Sequence, residues 1–279
     1  MSLVSYVDWS FYLVPSAVVL GVNAVFFLWC QSKKDNSHID AMWGLTFMFP
    51  NLALLIKRSL QPQSPDPDTR CVITLALVSL WGIRLCYHIA RRHKEEDWRY
   101  VDMRKRWMDK GGYTGYLWRA FTFVFMMQGA FSLVVNSAAL YVAIYSTGTP
   151  LTTLDLVGIA VWTVGFTFEC VGDYQLTNHL ASAQPGKKKF INSGLWLWTR
   201  HPNYFGEAVL WWGIWIIACS VEGGWKTAFA PAFITYLVRY LSGVPLLEKK
   251  YKGNPEWEAY CDRVNVFLPW FPRSSKKNI

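Results

Sequence analysis

The chain has 279 residues, of which 52% are hydrophobic and only 17% charged, and it contains 16 Trp. This composition argues against a soluble domain, because Trp concentrates where apolar and polar surroundings meet, as at a membrane interface. The net charge of +9 would favour nucleic acid as the partner of a soluble protein. Here the basic residues lie between apolar stretches, so we expect no nucleic acid partner.

Seven apolar stretches follow one another along the chain, and a helix needs about 20 apolar residues to cross the hydrocarbon core of a bilayer. The sequence therefore predicts an all-α, polytopic membrane protein with about seven transmembrane helices, in a single membrane domain over residues 1–279. The predicted spans are residues 11–30, 42–56, 71–90, 120–145, 154–172, 204–220 and 225–247. The second span is short, and the charged, aromatic segment 95–113 predicts an amphipathic helix along the membrane surface.

Basic residues are distributed unequally between the two sides that these spans define. Of the 28 Lys and Arg residues, 22 fall on one side, 4 on the other and 2 within spans. The positive-inside rule then places the C-terminus in the cytosol and the N-terminus outside or in a lumen. Lys276 and Lys277 resemble a dilysine retrieval signal, which favours the endoplasmic reticulum over a mitochondrial or other membrane.

Several well-defined site motifs are absent from the sequence. The six Cys are scattered singly without the spacing of a zinc site, so no metal is predicted and the thiols are interpreted as packing residues. The chain contains neither GxGxxG nor GxxxxGK[ST], which excludes a Rossmann or P-loop nucleotide site.

The most specific stretch, residues 194–207, contains Arg-His-Pro-Asn-Tyr at positions 200–204. Proline suits the first turn of a helix, so this run marks where a cytosolic loop enters the sixth span. A helix N-terminus attracts anions, and Arg200 can add a bidentate phosphate contact. His201 can exchange protons, Asn203 can bind an amide, and Glu207 follows one turn into the membrane. A basic anchor before a proline-started helix explains the same residues without a ligand.

Other charged residues lie within or beside the predicted spans. Glu169, Glu207, Arg84 and Arg239 are in or near the hydrocarbon, where ionisable groups are costly and are usually functional or paired. The lysine run at residues 187–189 can meet a phosphate or anchor the cytosolic face.

Taken together, these motifs resemble those of the steroid 5-alpha-reductase superfamily, and most closely its branch of short membrane proteins. The resemblance covers residues 38–272. The matching pieces are Asp40-Ala-Met-Trp-Gly44, Trp81-Gly-Ile-Arg84, Glu96-Asp-Trp-Arg-Tyr100, Gly172-Asp-Tyr-Gln-Leu176, Ser193-Gly-Leu-Trp196, Arg200-His-Pro-Asn-Tyr-Phe-Gly-Glu207, Gly243-Val-Pro-Leu-Leu-Glu248 and Pro269-Trp270.

The resemblance implies a membrane reductase that uses NADPH to saturate a C=C bond of a lipid or steroid-like enone. NADPH would lie at the cytosolic side, and the sterol-like substrate would enter from the membrane lipids. The predicted cofactor-binding residues are Asp173, Lys188, Trp196, Arg200, His201, Asn203, Tyr204, Glu207 and Arg239.

The predicted catalytic residues are Tyr87, Asp40 and Tyr204. The superfamily places a substrate-side Glu on the second span and a Tyr on the third. The second span here contains no Glu; Asp40 is the nearest acid, and Tyr87 is the matching tyrosine of the third span.

Two other functions remain open from the residues. An S-adenosylmethionine-dependent membrane methyltransferase shares the Arg-His-Pro motif before a late helix. A non-catalytic subunit that retains the fold inside a membrane complex is consistent with the missing second-span Glu.

Overall fold

Inside a bilayer an apolar chain can satisfy its backbone hydrogen bonds by forming helices. In the computed structural model of the protein, residues 10–61, 67–182 and 190–274 are described, and they form helices and connecting loops without a strand. Five helical stretches are long and apolar enough to cross a membrane, namely Tyr12–Lys33, Thr69–Arg92, Trp98–Val135, Thr153–Ala181 and Gly224–Lys249. The protein is therefore an integral membrane protein. The lysine run at 187–189 and the predicted dilysine signal lie outside the described residues.

The described residues fall into two compact units, of which the first comprises residues 1–152 and 218–227. Its helices are α1 (Ser10–Lys33), α2 (His38–Met42), α3 (Leu45–Leu60), α4 (Thr69–Arg92), α5 (Trp98–Ala120), α6 (Met127–Val135) and α7 (Ser137–Tyr145), with a π-helical turn at Phe121–Met126. Within this unit α3 packs against α1 and α4, and α7 packs against α3 and α4. On α1, Leu13, Val25 and Leu28 are 66%, 70% and 68% exposed, an apolar surface that suits contact with lipid.

The second predicted span is an interrupted helix. α3 has 16 residues and does not by itself reach the length of a membrane span. However, Trp43 and Gly44, which separate α2 from α3, keep right-handed helical backbone angles. A Cβ added at Gly44 would lie 2.4 Å from the carbonyl oxygen of Gly82, so only glycine allows α4 to approach this closely. Residues 38–60 thus lie beside α4 as one nearly continuous helix.

The segment predicted as an amphipathic surface helix is separated from the following span by a sharp bend. α5 is two helices joined at Gly111 and Gly112, and the φ of +61° at Gly112 is in the left-handed region that favours glycine. Tyr100, before the bend, donates to Asp40, and Tyr116, after it, accepts from Asn36. Both halves of α5 therefore make contacts close to the start of α2, the first half with Asp40 in α2 and the second with Asn36 just before it.

The second unit comprises residues 153–217 and 228–279. Its helices are α8 (Thr153–Ala181), α9 (Pro202–Ala218), α10 (Phe229–Tyr236), α11 (Val244–Lys249) and α12 (Pro255–Arg263), with a 3-10 turn at Gly194–Leu197 and a π-helical turn at Leu237–Leu241. The 3-10 turn Gly224–Ala228 precedes α10. Asn254 caps α12 through bonds from the amides of Glu256 and Trp257, and Trp257 and Tyr260 pack with Phe190.

The predicted count of seven spans is not confirmed. α9 has 17 residues and α3 has 16, so each is shorter than the five stretches that are long enough to cross a membrane. The all-helical prediction is confirmed for the described part of the chain.

Candidate functional site

Glycines hold α8 and α9 in direct backbone contact. They recur every seven residues, at Gly158, Gly165 and Gly172 on α8 and at Gly206 and Gly213 on α9. A repeat of seven keeps these positions on one side of a helix. A Cβ at Gly165 would lie 2.4 Å from the amide nitrogen of α9 residue 210, and one at Gly206 would lie 2.4 Å from that of α8 residue 169. This glycine seam brings the Gly172–Leu176 motif of α8 beside the start of α9.

Asp173 and Asn203 meet at the end of the glycine seam. The Asn203 amide donates to the Asp173 carboxylate with an Nδ2–Oδ1 distance of 3.0 Å, and Asp173 is buried. Trp196, also buried, donates its indole N–H to the carbonyl of Gly172 over 3.2 Å. Three of the predicted cofactor-binding residues therefore lie together around the last turns of α8.

Gly194 fixes the loop that carries Trp196. Its φ of +61° is in the left-handed region that favours glycine, and an added Cβ would lie 2.4 Å from the end of the Gln175 side chain, which would have to move. Gln175 in turn accepts a hydrogen bond from the backbone amide of Leu195 at 3.0 Å. The motifs at 172–176 and 193–196 thus form one contact although they are far apart in the sequence.

A cleft of about 450 Å³ opens beside this contact. Its lining includes Tyr174, Gln175, Asn178, His179, Ser193 and Gly194. Tyr174 is 67% exposed, so its ring offers an aromatic face to a flat ligand such as an adenine.

Arg200 is held by partners inside the second unit. Its guanidinium bonds to Glu248 (Nε–Oε1 2.9 Å) and donates from Nη1 to the backbone carbonyls of Cys261 and Val264, each at 3.1 Å. Its backbone amide donates to the carbonyl of Asn265. Much of the donor capacity of Arg200 is therefore already used, although the sequence predicted a contact with a phosphate.

His201 shares the same carboxylate. Its Nε2 lies 2.9 Å from Oε1 of Glu248, and its ring stacks on Tyr204 at a centroid distance of 5.8 Å. Burial lowers the pKa of His201 below the ordinary value of 6.5, an effect that the nearby Arg200 and Arg239 increase and that Glu248 only partly offsets. A neutral ring that donates from Nε2 to Glu248 has Nδ1 as its basic nitrogen.

Two buried polar atoms of this motif have no hydrogen-bond partner, namely Nδ1 of His201 and Oδ1 of Asn203. A buried polar atom left without a partner costs about 1–3 kcal/mol. Both atoms belong to the motif at residues 200–204, where the sequence predicts contacts with a ligand. A bound polar ligand would offset that cost, so the unsatisfied atoms fit a binding site at the start of α9.

Two further predicted cofactor residues, Glu207 and Arg239, belong to the same unit. Glu207 is buried one turn into α9. The guanidinium of Arg239 lies 4.7 Å from the ring centroid of Tyr240. Lys188 lies outside the described residues.

Two of the three predicted catalytic residues, Asp40 and Tyr87, belong to the first unit, whereas Tyr204 belongs to the second. Asp40 accepts hydrogen bonds from Tyr100 (2.6 Å) and from Arg99 (2.8 Å). Tyr87, on α4, is 64% exposed. Asp40 is thus part of a polar network, whereas Tyr87 lies on the surface of its unit.

Sequence reasoning missed Glu248, the carboxylate that joins Arg200 to His201. The residue belongs to the matched motif at 243–248, but no role was predicted for it. The available signal was the placement of an acidic residue, Glu248, at the same predicted cytosolic side as Arg200 and His201, with which a carboxylate can pair.

Comparisons with known proteins place the sequence in a family. Residues 26–264 match DUF1295, which is described as a protein of unknown function. Over 127 residues the chain is 30% identical to methanethiol S-methyltransferase 1 of Bradyrhizobium diazoefficiens, and the alignment spans 42% of this chain and 42% of that enzyme. The chain is also 22% identical to an uncharacterized protein of Schizosaccharomyces pombe, over 93% of this chain and 81% of that one. No solved structure matches the chain.

These matches do not directly show the steroid 5-alpha-reductase superfamily, so that resemblance stays a prediction. The family match, in contrast, extends from the middle of α1 to the end of α12 and includes every described residue of the candidate site. The chain therefore belongs to the DUF1295 family.

Proposed function

We propose that the protein is a membrane methyltransferase that uses S-adenosylmethionine to methylate an apolar thiol. The observation that carries this proposal is the similarity to the methanethiol S-methyltransferase of Bradyrhizobium diazoefficiens, which covers less than half of each chain. Methyl transfer is the alternative to reduction that the Arg-His-Pro motif left open, and the similarity favours that alternative.

The charges of the second unit support this choice. Glu169, Asp173 and Glu207 are buried acidic residues along α8 and α9. Carboxylates attract a cation, and S-adenosylmethionine carries its transferable methyl group on a cationic sulfonium.

The residues that would hold the cofactor are those around the Asp173–Asn203 contact. Oδ1 of Asn203 offers an acceptor that has no partner, and the neighbouring cleft is lined by Tyr174 and Gln175. An acceptor for adenine or ribose hydroxyl donors and an aromatic ring for stacking are the groups that an adenosine requires.

His201 is suited to receive the proton that a thiol loses when its sulfur is methylated. The Nε2–Glu248 contact orients the ring and leaves Nδ1 as the basic atom. A histidine oriented by a carboxylate is a recurrent means of activating a nucleophile. The apolar thiol would arrive from the surrounding lipid, into which its apolar group partitions, and His201 directly precedes the apolar helix α9.

The test is equilibrium binding by the full chain purified in mild detergent, with S-adenosylmethionine and NADPH as separate ligands. We expect S-adenosylmethionine to bind and the protein to transfer a labelled methyl group to a small alkanethiol. Asp173→Asn should weaken binding at least about tenfold, because a buried charge is lost from the site. Asp262→Asn, at an exposed acid of α12, should bind like the wild type.

The alternatives give different results in the same experiment. NADPH binding without S-adenosylmethionine binding overturns the proposal in favour of an enone reductase. Binding of neither ligand, together with co-purification of a stoichiometric protein partner, overturns it in favour of a non-catalytic subunit.

An NADPH-dependent reductase is the second candidate, and the resemblance of the sequence motifs to the steroid 5-alpha-reductase superfamily is its support. Two of the motifs that carry this resemblance, at 40–44 and 81–84, pack against each other through Gly44 and Gly82 in the first unit.

A further inference from the structure

Three side chains with metal-ligating atoms converge in the first unit, at a place where the sequence predicted none. Asp35 lies in the turn after α1, His38 begins α2 and His93 directly follows α4. One ligand atom from each lies within 4.8 Å of the other two. Oδ2 of Asp35 is 2.8 Å from Nε2 of His93 and 3.7 Å from Nε2 of His38.

The surroundings orient the carboxylate toward the two histidines. Oδ1 of Asp35 accepts bonds from the amide of Ser37 (2.9 Å) and from its hydroxyl (2.6 Å). Both partners are on the same oxygen, which leaves Oδ2 directed at the imidazoles.

The imidazole rings are also held in place. His38 packs against Trp29 at a centroid distance of 4.9 Å and against His93 at 4.2 Å. The side chains of Asp35, His38 and His93 are 14%, 27% and 19% exposed, so a small ion can reach them. The three groups are thus arranged before any ion binds.

The two distances from Asp35 to the imidazoles suit one tetrahedral ion. With Zn–N and Zn–O bonds of about 2.0–2.1 Å, neighbouring ligand atoms lie about 3.3 Å apart. The observed 2.8 Å and 3.7 Å fall on either side of that value. A simple ion pair explains the shorter contact, but it does not require the second imidazole to face the same carboxylate oxygen.

The ligand types select the class of ion. Imidazole nitrogens suit Zn²⁺ and neighbouring transition metals, whereas Mg²⁺ and Ca²⁺ prefer sites made of oxygen. Two neutral imidazoles and one carboxylate carry a single negative charge, which a dication more than balances. Three protein ligands leave a fourth position for water or another ligand.

We propose that Asp35, His38 and His93 bind a divalent transition-metal ion of the Zn²⁺ type. The ion would fasten the end of α1, the start of α2 and the end of α4 to one another. None of these three residues is assigned to methyl transfer, so metal binding can be tested independently of that proposed function.

The experiment is Zn²⁺ binding to the full chain, purified in detergent through a tag without histidine and stripped with a chelator. Isothermal titration and elemental analysis should give about one Zn²⁺ per chain for a single site. His93→Gln and Asp35→Asn should each weaken binding at least about tenfold, since even loss of a group that only supports a ligand costs 10–100-fold. The matched control is His88→Gln, at a histidine five residues earlier on α4 that bonds to Arg92, and it should bind like the wild type.

The result that overturns the proposal is a wild-type chain that binds no Zn²⁺, or a His93→Gln protein that binds it as tightly as the wild type. A second measurement needs no variant and therefore no assumption about folding. Co²⁺ loaded into the wild-type protein should show visible absorption bands typical of a four-coordinate nitrogen and oxygen site, and the spectrum of octahedral aqueous Co²⁺ would contradict the geometry.

Discussion

Glu248 shows how one side chain can determine the state of two others. Its carboxylate contacts the guanidinium of Arg200 and the ring of His201, both of which are more buried than Glu248 itself. Because of this sharing, Arg200 is neutralised locally and His201 keeps a defined ring orientation. The loss of one acidic residue should therefore affect stability and the candidate site together.

Replacing Glu248 by Gln removes the charge while it keeps the size of the side chain. We expect Glu248→Gln to lower stability by about 1.5–3 kcal/mol, since hydrogen bonds to charged groups contribute about that much. The intrinsic fluorescence of the Trp residues allows the unfolding temperature to be measured directly in detergent.

The control is Glu258→Gln, at an exposed acid of α12. It should change stability by less than about 0.5 kcal/mol, as surface substitutions usually do. Equal effects of the two variants would mean that the shared carboxylate does not stabilise the motif.

The pH dependence of stability follows from the buried, neutral state of His201. Burial keeps its pKa in the folded protein below 6.5. As the pH falls through about 6.5 the unfolded chain takes up a proton on this residue and the folded chain does not, so stability decreases. The loss levels off once the pH is below the pKa of the folded state.

His201→Gln should flatten this part of the profile, because glutamine does not titrate but can still donate to Glu248. The measurement is the difference in unfolding temperature between variant and wild type from pH 8 to pH 5. A difference that stays constant over this range would show that His201 is not the group responsible.

At the scale of elements, the glycine seam decides how α8 and α9 meet. Between helices in lipid there is little hydrophobic driving force, so close backbone approach and dispersion contacts carry the association. Positions 158, 165, 172, 206 and 213 all lack a side chain at this contact. The seam aligns Asp173 with Asn203, and it thereby assembles the candidate site.

Gly206→Ala should push the two helices apart. The new Cβ would lie 2.4 Å from one backbone atom of α8 and 2.5 Å from another, neither of which can move like a flexible side chain. We expect a loss of about 1–3 kcal/mol, typical of overpacking, together with weaker S-adenosylmethionine binding. The loss of stability is measured as the unfolding temperature in detergent without ligand, and the weaker binding as a smaller rise of that temperature when S-adenosylmethionine is added.

Gly21→Ala is the matched control, since Gly21 lies within α1 and a Cβ there meets no atom within 4 Å. Alanine should be neutral or stabilise by up to about 1 kcal/mol because of its higher helix propensity. A Gly206→Ala protein that melts and binds like Gly21→Ala would refute the close packing.

Hydropathy predicted the helices well where they are apolar and less well where they continue into polar surroundings. The span predicted at 154–172 belongs to α8, which continues to Ala181 through the polar residues that line the cleft. Hydropathy marks the part of a helix that suits lipid and gives no signal for the part beyond it. In contrast, Pro202 correctly indicated the start of α9.

Contacts between distant segments were harder to predict than helices. The link between Asp173 and Asn203 could be expected in outline, because both were placed on the cytosolic cofactor side. His93 follows Asp35 by 58 residues, so no local spacing reveals their contact. Such a cluster forms only when the ends of several helices meet, which the linear pattern does not encode.

At the scale of the whole molecule, polar contacts of the first unit lie at both ends of α4. At its C-terminal end His93 contacts Asp35. At its N-terminal end Arg70 bonds to Ser146 and Thr149, and Asp68 accepts from the amide of Gly148. A helix of 24 residues is about 36 Å long, which is enough to separate these groups by a hydrocarbon core.

This separation predicts the sides of the membrane on which the loops lie. We expect Lys34→Cys to react with a membrane-impermeant maleimide from the cytosolic side and Thr147→Cys only from the opposite side, since both positions are exposed and lie near opposite ends of α4. Seven crossings, as the charge distribution indicates, also place Lys250→Cys on the cytosolic side.

The parent protein with its six native cysteines serves as the background for labelling, and Cys30 and Cys71 are buried in it. Reaction of Lys34→Cys and Thr147→Cys from the same side would contradict the arrangement of the first unit. Reaction of Lys250→Cys from the opposite side would rule out seven crossings.

The glycine seam has a consequence for how the protein responds to bilayers of different thickness. Helices joined by bulky side chains can slide past each other or separate when the hydrocarbon becomes thicker or thinner. Two backbones held in contact by three glycines on α8 and two on α9 resist such movement. α8 and α9 should therefore accommodate a mismatch by tilting as a pair, at a modest cost for each ångström. The alignment of Asp173 with Asn203, and the ligand affinity that depends on it, should then stay nearly constant across vesicles made from lipids of different acyl length.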